Sequence, residues 1–130
     1  MNKPKGTIYL RSNDWYKIKK VVKMGIASFA KDRNNTYITG EVTRGEYIYV
    51  IEIPLDKMII LDKCLKSYFK ILNIYKGGGT EFYDPCIIDL IEPYLKKINI
   101  EYKVLTKEEI LLMNRCERFR NISLFNHCSL

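Results

Sequence analysis

Apolar and polar positions along this 130-residue chain fall into short segments of two different periods. Gly6 to Leu10 alternates with period two, Ile8 and Leu10 on one side and Tyr9 on the other, which predicts a strand. Ser12-Asn13-Asp14 is turn chemistry, because short polar side chains bond their own backbone there. Trp15 to Lys20 is basic and aromatic, with strand and loop both open. Val21 to Ile26 predicts a second strand, pairing with the first as a hairpin with a long connection. That pairing brings Tyr9 towards Lys23 without fixing the register. Ser28 then stands in N-cap position for a helix to about Ile38, which Gly40 stops. On it, Phe29, Arg33 and Tyr37 recur every four residues and share one face.

Arg44 to Ile53 is the clearest strand, with Tyr47, Tyr49, Ile51 and Ile53 on one face and Ile48 and Val50 on the other. Apolar residues on both sides predict a central strand, which Pro54 ends. Leu55 to Ile71 predicts a helix whose core stripe is Leu55, Ile59, Leu65, Tyr68 and Phe69, with Asp62 and Lys66 as an i, i+4 pair. Ile71 to Tyr75 is short and apolar, without a clear period. Lys76-Gly77-Gly78-Gly79 reads as a mobile connector, since it lacks the lysine and hydroxyl pattern of a phosphate loop. A helix follows from about Pro85 to Ile98, with Pro93 predicting a kink or break. Glu101 to Leu105 predicts an edge strand, and Thr106 with Glu109 forms a capping box opening a last helix to about Arg118. The sum is an α+β fold: a small, mostly antiparallel sheet of about three main strands flanked by helices.

Charge adds a partner to this picture. The net charge of +7 is confined to residues 1–33, which hold nine Lys/Arg against two Asp; the remainder balances. Such asymmetry points to a polyanion, with a solvated lysine-rich surface as the plain alternative. Length predicts a single domain over residues 1–130. Cys64, Cys86, Cys116 and Cys128 have neither C-x-x-C spacing nor pairing with the lone His127, which argues against a zinc site. With no secretory leader, an intracellular location and reduced thiols are expected. The most apolar window, Ile48 to Ile60, is cut by Glu52, Pro54, Asp56 and Lys57, so no membrane span is expected.

Four pieces taken in order, Ile8-Tyr9, Lys23-Met24-Gly25, Arg33 and Glu81-Phe82-Tyr83, resemble the GIY-YIG nuclease superfamily. The nearest likeness is to a branch frequent in phages and large DNA viruses, which carries a lysine at the head of its second motif. It runs over about residues 6–98, leaving 99–130 as a C-terminal extension. The resemblance implies a metal-dependent DNA endonuclease using Mg²⁺ or Mn²⁺. Tyr9 then handles the proton of the attacking water, and Lys23 takes the place of the second-motif tyrosine. Arg33 stabilises charge on the scissile phosphate, Tyr37 fills a slot held by histidine or tyrosine, and Glu81 binds the metal. The sequence departs from the family in a looser first motif and in lacking a convincing late asparagine, Asn99 lying beyond the expected helix.

The residues suit that chemistry. One carboxylate can hold a Mg²⁺ that keeps most of its waters, and a fixed guanidinium neutralises growing phosphate charge. A phenol of unperturbed pKa ~10 needs neighbouring cations such as Lys23 or Arg33 to act as a base near neutrality. Lys17, Lys19, Lys20 and Lys31 would track the phosphate backbone. Plainer readings stand beside these. Glu81 can simply favour the positive end of a following helix, Tyr9 and Tyr37 can be core phenols, and Lys23 can snorkel from the sheet. A nucleic-acid-binding module without cleavage, or a protein-interaction domain, are the rival functions. Oligomeric state is not encoded in any of these patterns.

Overall fold

The computed structural model describes residues 4–28, 45–74 and 81–115. In chain order these form β1 (Lys5–Ser12), α1 (Asp14–Lys19), β2 (Val22–Ala27), β3 (Glu46–Pro54) and α2 (Met58–Tyr68). Then come β4 (Phe82–Tyr83), α3 (Ile91–Lys97) and β5 (Lys103–Val104), and finally α4 over 107–115. The sheet is antiparallel throughout, in the order β4-β2-β1-β3-β5. Five strands thus replace the expected three, because two-residue strands flank the main ones. The segment 29–44, with the expected helix after Ser28, lies outside the described residues, as does the glycine connector.

β3 lies inside the sheet between β1 and β5, as expected, and β1 is the middle strand, with both its faces covered. Ile8 and Leu10 join Val22, Met24, Ile51 and Ile53 beneath α2 and α3. Tyr9 joins Tyr47, Val50 and Ile110 on the opposite face, where α4 packs. Strict alternation fails in β3, where the pairing shifts opposite Leu10 and Arg11. Leu10 faces Tyr49 and Arg11 faces Tyr47, so Ile48 is the extra residue of a bulge. Tyr47 therefore lies on the Tyr9 face, not with Tyr49, Ile51 and Ile53 as expected from period two.

Helix boundaries also differ from expectation for identifiable reasons. Trp15 to Lys20 settles as helix because Asn13 caps it, its side chain accepting from Tyr16 N at 2.7 Å. Leu55–Lys57 is a 3₁₀ turn, and α2 begins only at Met58. Its buried stripe is Leu61, Leu65 and Phe69, while Leu55, Ile59 and Tyr68 remain exposed. Tyr68 instead stacks on Tyr94 at 4.0 Å. The expected helix from Pro85 is broken at Leu90 into a 3₁₀ turn and α3, one turn before Pro93, which has no N–H to offer the Asp89 carbonyl. Pro93 occupies the first turn of α3, where backbone N–H groups have no intrahelical partner to lose.

The C-terminal extension is tied in by a short strand and by side chains. β5 pairs with the edge of β3, and the capping box forms as expected: Glu109 N donates to Thr106 Oγ1 at 3.2 Å and Thr106 N to Glu109 Oε1 at 3.1 Å. Asn114 on α4 is buried and bonds both main-chain groups of Tyr47, accepting from N at 3.0 Å and donating to O at 3.1 Å. An amide thus replaces the partner strand beside the bulge.

Two outcomes follow. Asn114→Ala leaves two buried main-chain groups of Tyr47 without that partner and should destabilise the fold by about 2–4 kcal/mol, read as a lowered urea midpoint at constant slope. The capping bonds hold the Glu109 carboxyl below its ordinary value of 4.5. Its contribution is therefore complete above pH 4.5 and lost as pH falls through the lower folded value. The gap in melting temperature between wild type and Glu109→Ala should be full at about pH 6 and narrow in acid.

Candidate active site

The hairpin register decides what meets at the site. Tyr9 is paired with Gly25, and Arg11 with Lys23. Partners in register share a sheet face, so Tyr9, Arg11, Lys23 and Gly25 form one block. Gly25 is what lets Tyr9 fit. A Cβ on residue 25 would stand 2.5 Å from Tyr9 Cζ and 2.9 Å from Cε2, and closer still to the phenolic oxygen. The ring therefore lies across the bare backbone of β2. Its other support is Tyr47, whose ring meets it edge-on at 5.3 Å. Tyr9 is 1% exposed, so its ring is a core element and only its rim lines the groove described next.

β4 pairs only with Val22 and Lys23, so from Gly25 onward the outer edge of β2 has no strand partner among the described residues. A groove of about 200 Å³ follows this edge, lined by Tyr9, Gly25 and Glu81 and, across from them, by Asp62 and Lys66 of α2. Glu81 is fixed by its own main chain, its carbonyl accepting from Met24 N at 2.9 Å. Its carboxylate lies 3.8 Å from Lys23 Nζ, with the two side chains 37% and 17% exposed. Asp62 and Lys66 form the expected pair at 3.2 Å.

An aromatic bridge joins this site to α1. Lys23 Nζ stands 5.6 Å over the Phe82 ring, and Phe82 meets Tyr16 of α1 edge-on at 5.2 Å. Tyr16 is the buried residue of that helix. Lys17, Lys19 and Lys20 are exposed on or just after it. Lys17 and Lys20 line a second cleft with Asp84 and Pro85.

Of the residues expected at the site, Tyr9 and Glu81 line the groove, and Lys23 pairs with Glu81 from outside its lining. Arg33, Tyr37 and Lys31 lie outside the described residues. Glu81 does not open a helix as expected, because Glu81-Phe82-Tyr83 leads into β4 and the following turn is capped by Asp84. Asp84 accepts from Cys86 N at 3.0 Å, which holds its carboxyl below the usual range. The helix-end explanation of Glu81 therefore falls to Asp84, and Glu81 faces Lys23 instead.

Two residues escaped the sequence reading. Arg11 is completely buried, 5.0 Å over the Tyr47 ring, on the face of Tyr9 and beside Lys23. Its spacing of two from Tyr9 was the available signal. Asp62 was read only as half of a helix pair, and no local pattern tells which strand edge a helix will overlie.

The donor set suits a hydrated divalent ion rather than a closed metal cage. Glu81 and Asp62 both line the groove, and no group of three or more His, Cys, Asp or Glu able to hold a metal occurs among the described residues. Mg²⁺ needs only one or two carboxylates and keeps several waters, so these residues fit it. No helix among the described residues is long and apolar enough to cross a membrane. No family model, curated protein or solved structure matches the chain.

The contact between Tyr9 and Gly25 is testable on its own. Gly25→Ala should lower stability by about 1–3 kcal/mol through overpacking. Adding Tyr9→Leu should recover part of that loss, giving a favourable coupling in a double-mutant cycle of chemical denaturation. Additive losses would mean that the ring does not occupy the space over Gly25.

Proposed function

We propose that this protein is a divalent-metal-dependent endonuclease that hydrolyses DNA phosphodiester bonds by chemistry of the GIY-YIG type. The observation that carries the reading is that Tyr9 and Glu81 line one groove at the open edge of β2, while Lys23, at the paired end of the same strand, forms an ion pair with Glu81. Those are the residues of the first, second and last motifs by which the chain resembles that superfamily.

In this reading a phosphodiester lies along the groove. Tyr9, acting as its phenolate, takes up the proton of the attacking water at an oxygen whose place is set by Gly25 on one side and Tyr47 on the other. Lys23 turns its ammonium to a phosphate oxygen. Its partly exposed, 3.8 Å pairing with Glu81 is weak enough to yield to a charged ligand. Arg33, assigned by the resemblance alone, adds fixed positive charge where negative charge grows. Glu81, with Asp62 across the groove, would hold Mg²⁺ or Mn²⁺, which supplies Lewis-acid polarisation of the phosphate when bound. The exposed Lys17, Lys19 and Lys20 contact the backbone further along and make affinity salt-dependent and largely blind to sequence.

Nicking of supercoiled plasmid tests this directly. Wild type should cleave with Mg²⁺ or Mn²⁺ and stop with chelator. Tyr9→Phe and Arg33→Ala should each lose about 10²–10³-fold in rate, and Glu81→Ala should lose the metal-dependent activity. DNA retention without cleavage would move the reading to a binding module, and neither retention nor cleavage to a protein-interaction domain.

A further inference from the structure

We infer that α1 is a stacking contact for an unpaired DNA segment, with the Trp15 ring as the platform. The inference rests on the reading of DNA as the partner and names the strand state that this surface suits. α1 connects β1 to β2 and buries one side chain, Tyr16, against Phe82. The neighbouring indole could have filled that position, yet Trp15 remains 54% exposed. Ile18, three residues on and 71% exposed, shares its face. Single exposed apolar residues are ordinary on a protein surface. This pair differs in its surroundings, for Lys17, Lys19 and Lys20 are all exposed around it. Lys19 sets its ammonium 5.0 Å from the centre of the indole.

An exposed indole with one ammonium over one of its faces and further lysines around it matches a nucleotide with its base free, since the base stacks on the other face while the phosphates meet lysines. A duplex does not fit, because its base faces are already stacked on one another. An anionic membrane surface is the other polyanion to weigh. A six-residue helix offering Trp15 and Ile18 buries too little apolar surface for stable anchoring. Position favours DNA as well. From Tyr9 to Asn13 is four strand steps, about 13 Å at 3.3 Å per residue. That is a span of a few nucleotides of an unpaired strand, so one strand can reach both α1 and the groove.

Trp15 is the only tryptophan in the chain, so its emission reports on this surface alone. The Glu81→Ala protein, which should leave DNA intact, is titrated with a single-stranded oligodeoxynucleotide, its blunt duplex, and phosphatidylglycerol vesicles. The expected result is quenching by the single strand and little change with the duplex. By anisotropy of labelled DNA, Trp15→Ala should weaken single-strand binding about 5- to 100-fold and leave duplex affinity unchanged, with Trp15→Phe restoring most of it. Circular dichroism melts show that each variant is folded. Plasmid nicking without any quench by single strands would overturn the inference and leave the nuclease standing. A quench without nicking in the wild type would sustain it and remove the nuclease. Blue-shifted emission on vesicles with no response to DNA would overturn it in favour of a membrane surface.

Discussion

The ring of Tyr9 occupies the volume that a side chain on residue 25 would need, and much of the molecule is arranged around that substitution of ring for methyl. Tyr9 sits on the middle strand of the sheet, where every large side chain must be placed on one covered face or the other. A phenol is too long to be accommodated there unless a neighbouring strand yields space. Gly25 yields it at the cross-strand position, and the phenol then reaches the edge of β2 without a cavity being opened in the core. The hydroxyl is positioned by packing rather than by a flexible stem, which is the condition a proton-transfer group needs.

The two sheet faces divide the work accordingly. Ile8, Leu10, Ile51 and Ile53 are completely buried under α2 and α3 and supply ordinary apolar stability. The opposite face carries Tyr9, Arg11, Lys23 and Tyr47, polar groups that a purely structural core would avoid. Retaining them requires local compensation. The bulge in β3 turns Tyr47 towards Tyr9 and Arg11. Asn114 then satisfies the main chain of Tyr47 on that face. The C-terminal helix is therefore part of the apparatus holding the site, even though the resemblance ends before it.

How far the sequence could be read depended on the range of the interaction responsible. The hairpin, the alternation of β1, the Asp62–Lys66 pair and the Thr106–Glu109 capping box are set by neighbours a few residues apart, and these were legible. The bulge was not, because it depends on β1 and β3 meeting across a long stretch of chain. One extra residue at Ile48 then reverses the face of Tyr47. Ile59 and Tyr68 were misplaced on α2 for a similar reason. An apolar residue at helical spacing shows that a stripe exists, whereas the sheet chooses Leu61, Leu65 and Phe69 for it. Motif order singled out Tyr9 and Glu81, which share the groove, but that Asp62 also lines it required knowing that α2 overlies the free edge of β2.

The weakness of the Lys23–Glu81 pair is the feature that makes this arrangement usable. Two partly exposed charges at 3.8 Å are screened by water and contribute little to stability. A buried, tightly paired couple would resist separation, since removing either partner strands the other charge. Here both side chains can change partners at small cost, the ammonium to an anion and the carboxylate to a cation. Phe82 lies 5.6 Å from the Lys23 ammonium, and Tyr16 of α1 meets the Phe82 ring edge-on. Lys23, Phe82 and Tyr16 thus form one continuous run of contacts from the Lys23–Glu81 pair to α1.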